Sequence, residues 1–265
     1  MALAQLKAKI HTDRGFNCHH YKNRCLERRL AVRMRARGEE SFEGYAGLLD
    51  SDPAEYDLLL DALTINVTKF FRNLETWEAL ADRVVPALFA RPEAHQRIWS
   101  AGCASGEEAY TVSILLHEWA EQQGRVRDLS RFRITGTDID RRSLDTARRA
   151  EYTELSLNET PPDRLERWFS PGPPYRLDER VRANVGFHWK DLISGEPETE
   201  QSMILCRNVI IYLGREIQEE LFQRFYDALV PGGFLVLGKV ETLLGPMRQR
   251  FLPVSSRERI FQKPE

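Results

Sequence analysis

From Arg97 onward the chain alternates short apolar runs with helix-patterned segments, and no other feature restricts its fold as much. RIWSAG (97–102), RFRITGTD (131–138), VGFHWKD (185–191), SMILCRN (202–208) and GGFLVLG (232–238) each end in turn residues, and ERIFQK (258–263) reads as a final strand. Helical segments at about 106–123, 141–150 and 215–229 lie between several of them. Strands joined through helices pair in parallel, because the crossover carries the chain back along the sheet, and the helices then cover both faces. The expectation is an α/β doubly wound, Rossmann-like domain.

The stretch before it has another character. Residues 21–37 lack Gly and Pro, Gly38 follows as a C-cap, and helical patterns continue at 42–49 and 53–63 with no strand signal between them. A small all-α domain over residues 1–77 is therefore expected ahead of the α/β domain over 78–265. Residues 161–184 break the later rhythm. They hold five prolines (Pro161, Pro162, Pro171, Pro173 and Pro174) and read as a short inserted subdomain, a helix followed by a loop or hairpin.

With 265 residues of which 42% are hydrophobic, the chain can build a substantial core, which excludes a wholly disordered protein. No run approaches the roughly 18 apolar residues of a membrane span. The N-terminal residues carry no apolar segment of the secretory kind. A formal net charge of −2 argues against a general nucleic-acid binder. Cys18, Cys25, Cys103 and Cys206 form no disulfide framework, and Cys18, His19, His20 and Cys25 match no zinc spacing, so no metal site is expected. A soluble cytoplasmic protein, monomeric by default, without membrane insertion or nucleic acid, is the reading.

The chemistry begins in the turn after the first apolar run, Ser100-Ala101-Gly102-Cys103-Ala104-Ser105-Gly106-Glu107-Glu108. Gly102 and Gly106 allow a ligand to approach the backbone closely. The spacing is not G-x-G-x-x-G, and a pyrophosphate would sit poorly beside Glu107 and Glu108. A cofactor with positive charge suits the turn better. S-adenosylmethionine (SAM) has a sulfonium, an ammonium group and no phosphate. The alternative is an ordinary strand–helix turn whose two acids complement the helix dipole. The next strand ends in Thr137-Asp138-Ile139-Asp140. There Asp138 stands where an acid can hold ribose hydroxyls, and Asp140 starts the following helix as an N-cap or first-turn acid; the alternative is that both acids only cap that helix.

Four blocks in order then resemble the CheR-type chemotaxis receptor methyltransferases. They are Thr64-Ile65-Asn66-Val67-Thr68-Lys69-Phe70-Phe71-Arg72-Asn73, Trp99 through Glu108, Thr137-Asp138-Ile139-Asp140, and Cys206-Arg207-Asn208-Val209-Ile210-Ile211-Tyr212. The resemblance implies a SAM-dependent protein-glutamate O-methyltransferase acting on the cytoplasmic helices of methyl-accepting chemoreceptors or a related signalling protein, with S-adenosylhomocysteine as product. It further implies that Asn66, Thr68 and Arg72 line the cofactor site, with Gly102 in the turn. Glu108 would meet the methionine or ammonium end and Asp138 the ribose. Asp191 and Leu192 would lie near the adenine, Arg207 and Asn208 would close the pocket, and Arg72 and Tyr212 would organise the reaction.

Departures from the family pattern fall at Ala109, where Pro is usual, and at Lys239-Val240-Glu241, where the family has His-Ser-Glu. The insertion is short beside members that grip a receptor's C-terminal peptide. A basic run within 21–37 places Arg24, Arg28 and Arg35 together, opposite Leu26, Leu30 and Met34, as an expected docking face for acidic receptor helices. A small-molecule methyltransferase and a non-catalytic sensor of SAM or S-adenosylhomocysteine remain open as alternatives.

Overall fold

Four helices open the chain: α1 (Leu3–Arg14), α2 (Asn23–Ala36), α3 (Phe42–Ser51) and α4 (Pro53–Leu63). Their ends follow from local chemistry. Gly15 and Gly38 take left-handed φ of 72° after α1 and α2. Ser41 accepts the Gly44 amide at the start of α3. Asp52 accepts the Ala54 and Glu55 amides at the start of α4, where Pro53 gives up no needed donor. Each helix turns one apolar stripe inward, and Leu6, Ile10, Leu26, Leu30, Tyr45, Leu49, Leu59 and Leu63 are buried.

The computed structural model describes residues 1–64, 67–196 and 198–265. Two units divide them. One joins the N-terminal helices to Val209–Gln218, and the other comprises Val67–Asn208 and Glu219–Glu265. The expected boundary at 77/78 differs from this division. Phe70, Phe71 and Trp77 carry no exposed surface and belong to the core of the second unit, so the chain enters that unit well before residue 78. Residues 67–73 are irregular rather than helical, with Phe71 and Asn73 at φ of 54° and 62°.

The second unit is built on a seven-stranded sheet. In chain order the strands of this unit are β1 (Gln96–Ala101), β2 (Phe132–Asp138), β3 (Glu151–Tyr152), β4 (Tyr175–Arg176), β5 (Val185–Trp189), β6 (Gln201–Cys206), β7 (Leu229–Leu237), β8 (Leu252–Ser255) and β9 (Ile260–Gln262). The large sheet runs β5-β2-β1-β6-β7-β9-β8. It is parallel from β5 to β7, and antiparallel where β9 joins β7 and β8. The order reverses between β1 and β6, and beyond the carboxyl ends of strands at such a reversal is where open α/β sheets bind their ligands. Helices Glu107–Gln122, Arg141–Arg149 and Arg215–Ala228 follow β1, β2 and β6, as the alternating pattern requires. Strand β8 carries no clear apolar run, and it was not legible in the sequence.

The insertion differs from a self-contained hairpin. It contains a helix, Pro162–Trp168, but β4 pairs antiparallel with β3, which lies before it in the chain. Tyr152, Trp168, Phe169, Leu177 and Val181 join the main core. Burying these side chains outweighs anything a short hairpin could gain by pairing with itself.

Candidate functional site

Strand β1 delivers the chain to a turn that is held down by backbone contacts. The Gly102 and Cys103 amides both donate to the Thr137 carbonyl, at 2.8 and 3.0 Å. Gly102 and Gly106 take φ of 78° and 90°. A Cβ on Gly106 would lie 2.9 Å from both the Ala147 methyl and the Phe187 ring, so only glycine permits this approach of turn to sheet.

Asp138 closes the turn from the neighbouring strand. One carboxylate oxygen accepts the Ala104 amide at 2.8 Å and the other the Asp140 amide at 2.9 Å. Burial pushes the Asp138 carboxyl above the usual range, against the pull of these N–H groups. Asp140 then caps the helix Arg141–Arg149 by accepting the Arg142 and Ser143 amides, as its position in the sequence suggested.

Two buried charges meet where β1, β6 and the helix Glu107–Gln122 converge. Glu108 accepts from the Ser100 hydroxyl at 2.8 Å and from Arg207 at 3.4 Å. Burial raises its pKa, while Arg207 and Ser100 work in the opposite direction. Arg207 also donates to the Arg72 carbonyl at 2.9 Å and to the Asn73 side chain at 3.4 Å, and its guanidinium lies 5.0 Å from the Trp77 ring centre. Burial lowers the pKa of this guanidinium. Glu107 points elsewhere. It accepts from the Ser105 hydroxyl at 2.8 and 3.0 Å, and burial pushes its carboxyl up to about 7.

Among the described residues this strand edge holds the carboxyl groups of Glu108 and Asp138 and the single guanidinium of Arg207, all buried. The Nε of Arg207 has no hydrogen-bond partner. SAM fits this set. An acidic surround favours its sulfonium and ammonium groups, and a buried guanidinium with an unmet N–H suits its carboxylate.

The remaining expected site residues are distributed as follows. The Arg72 side chain donates to the Val67 carbonyl at 2.8 Å, and Thr68 is half-buried beside it in sequence. Asn66 lies outside the described residues. The turn of Asp191 and Leu192 reaches the Asp138 strand end through the Lys190 amide, which donates to the Asp138 carbonyl at 3.0 Å. Asp191 uses its carboxylate within its own turn, accepting the Ile193 amide at 2.9 Å and the Ser194 hydroxyl at 2.6 Å. Leu192 is half-buried. Asn208 takes φ of 62° immediately after Arg207.

Tyr212 belongs to the first unit. Its carbonyl accepts the Lys22 amide at 2.9 Å, and the Arg29 guanidinium lies 5.8 Å from its ring centre. Arg24, Arg28 and Arg35 on α2 are exposed, while Leu26, Leu30 and Met34 are buried, as the helical spacing required. Other members of the basic run serve the fold. Arg33 and Arg37 bind Glu55, and Arg29 donates to the Ala62 carbonyl. Sequence reasoning missed Ser100, Trp77 and Glu241 as parts of the site. The position of Ser100 at a strand end, on the same edge as Asp138, was the available signal.

The CheR methyltransferase all-alpha domain matches residues 1–64, and the SAM binding domain of CheR methyltransferase matches residues 66–260. An uncharacterised 104.1 kDa protein of Rhodobacter capsulatus is 34% identical over 98% of this chain, which spans 27% of that protein's length. Chemotaxis protein methyltransferases of Klebsiella aerogenes and Listeria innocua are 31% and 29% identical. Those matches cover 92% and 89% of this chain and 83% and 88% of the relatives. Family matches over nearly the whole chain, on a doubly wound sheet whose strand edge suits SAM, make this protein a member of the CheR family of SAM-dependent methyltransferases.

Proposed function

We propose that this protein methylates glutamate γ-carboxylates on the cytoplasmic helices of chemoreceptors, or of a related signalling protein, giving glutamyl methyl esters in chemotaxis adaptation or a related pathway. The observation that carries the acceptor is the row of Arg24, Arg28 and Arg35, exposed on a helix whose opposite side is packed. A small substrate has no use for such a row, whereas an acidic helix is drawn to it. The names of the Klebsiella and Listeria relatives support chemotaxis as the setting.

When bound, SAM supplies an electrophilic methyl group on a sulfonium. Glu108 and Arg207 would bind its amino-acid end, Gly102 would leave room for it along the turn, and Asp138 would hold ribose hydroxyls. Thr68, Asn66 and Asn208 would complete the lining, and Asp191 and Leu192 would border the adenine. An acceptor glutamate is already ionised near neutral pH, its reference pKa being about 4.3, so the chain need not supply a general base. Its task is to strip water from the carboxylate and align one oxygen for in-line attack. Arg72 can orient that carboxylate with its fork of N–H groups, and Tyr212 can steer it with its hydroxyl.

The test is transfer of labelled methyl from SAM to the cytoplasmic fragment of a chemoreceptor from the same cell, followed by alkaline treatment. Label released as methanol establishes a carboxyl ester. Base-stable label would mean an N- or S-methyl product and overturn the carboxylate reading. Tight S-adenosylhomocysteine binding without any transfer would leave a different acceptor or a sensor as the readings.

A further inference from the structure

The stretch after β7 departs from the family at Lys239 and Val240, yet its third residue makes the decisive contacts. Lys239 pairs with Glu75 at 3.0 Å and Glu258 at 3.4 Å, and Val240 is 72% exposed. Glu241 turns the other way and is only 3% exposed. A single oxygen, Oε2, accepts the Asn208 amide at 3.0 Å and the Gly238 amide at 2.7 Å. These amides follow two adjacent parallel strands, β6 and β7, whose last residues Cys206 and Leu237 are partners in register. One carboxylate oxygen therefore joins both strand ends.

The joint is tight. A Cβ on Gly238 would lie 2.8 Å from the Asn208 amide nitrogen and 2.9 Å from that same oxygen. Asn208 holds a left-handed φ of 62°, a conformation asparagine tolerates better than other side-chain-bearing residues, and its amide is fixed by the Glu241 oxygen. The peptide fixed in this way directly follows Arg207, whose guanidinium meets Glu108 and the Arg72 carbonyl. We infer that Glu241 is a positioning residue for the cofactor site, acting through the Asn208 backbone to set Arg207 and Asn208 in place for the amino-acid end of SAM. This rests on the proposed roles of Arg207 and Asn208, and it concerns the placement of one oxygen rather than its charge.

Two substitutions separate placement from charge. Glu241→Gln keeps an oxygen that can accept both amides and discards the charge. Glu241→Asp keeps the charge and withdraws the oxygen by one methylene. The readout is S-adenosylhomocysteine affinity by calorimetry on full-length protein, with circular dichroism confirming the fold of each variant. Expected is about a tenfold or greater loss for Glu241→Asp, with Glu241→Gln within about threefold of the unaltered protein. Equal affinity in all three proteins would overturn the inference, and so would a loss in Glu241→Gln as large as that in Glu241→Asp. If Glu241→Asp does not fold, Gly238→Ala displaces the same amide pair and should weaken affinity comparably; wild-type affinity there would equally overturn it. Failure of the unaltered protein to bind would instead sink the cofactor reading itself, and the role of Glu241 with it.

Discussion

Arg207 and Glu108 meet at 3.4 Å from positions 99 residues apart, and both side chains are buried. The pair joins the end of β6 to the helix after β1, across the reversal in strand order. Removing the carboxylate leaves the guanidinium buried with its principal counter-charge gone. Glu108→Leu should therefore lower unfolding free energy by about 3–5 kcal/mol. Glu108→Gln, which can still accept from Ser100, should lose less. Urea denaturation of both variants checks the order, and equal losses would mean that the lost charge, common to both, accounts for the whole effect and the Ser100 hydrogen bond for none of it.

Asp138 should prove structural as well as cofactor-directed. Its two oxygens serve the Ala104 and Asp140 amides, so Asp138→Ala strands a buried N–H in the glycine turn and should cost about 1–3 kcal/mol. S-adenosylhomocysteine affinity should fall with it, by a few kcal/mol at most, since the ribose is neutral. Unchanged affinity by calorimetry would remove Asp138 from the cofactor site.

Glu107 gives the stability a pH dependence near neutrality. Its carboxyl sits at about 7 in the fold against an ordinary 4.5, because burial disfavours the charge. A carboxyl that holds its proton more tightly folded than unfolded gives its full support at pH below the unfolded value. That support is lost as pH rises through the folded value. The loss is on the order of 3 kcal/mol. Glu107→Gln cannot ionise, so it should gain on the unaltered protein by that amount between about pH 4.5 and 8. A difference that stays flat with pH would contradict this.

The first unit should depend on Glu55. Arg33 holds its two oxygens at 3.0 and 2.6 Å, Arg37 adds a contact at 3.3 Å, and the Tyr45 hydroxyl donates at 2.6 Å. Burial alone would raise this carboxyl, but the Arg33 and Tyr45 hydrogen bonds and the charge of the two arginines outweigh it and hold it low. Its support is present above the ordinary carboxylate range and is lost as pH falls through the folded value. Glu55→Ala should cost about 3–5 kcal/mol, read as a drop in the thermal unfolding midpoint at neutral pH. A midpoint within a degree or two of the unaltered protein would refute it.

Reversal of Arg24, Arg28 and Arg35 to Glu should raise the acceptor's KM and leave S-adenosylhomocysteine affinity unchanged, because all three face solvent on α2. Parallel loss of both would point to misfolding of the helix.

Much of this protein is written locally. Apolar runs ending in turn residues announce β1, β2, β5, β6 and β7, since the period of a buried strand and the need for a turn are properties of a few consecutive residues. The spacing of Leu26, Leu30 and Met34 sets which side of α2 is buried, and therefore that Arg24, Arg28 and Arg35 face water. Gly102, Gly106 and Asp138 stood out because a turn beyond a parallel strand is where such residues have a use.

What remained hidden depends on partners distant in the chain. Nothing near Glu241 in the sequence says that its carboxylate takes the Asn208 amide, 33 positions away. Nothing near Arg29 says that its guanidinium covers the ring of Tyr212. The basic run on α2 looks uniform as a string, yet Arg33 and Arg37 bind Glu55 while Arg24, Arg28 and Arg35 stay exposed. Periodicity and turn chemistry are short-range, so the sequence alone determined most of the elements, the parallel pairing of the main strands and the turn that suits a cationic cofactor. Burial and the pairing of charges depend on the whole packed chain, so only the tertiary structure decided which acids face one another, which arginines remain available, and which carboxylate oxygen holds the strand ends together.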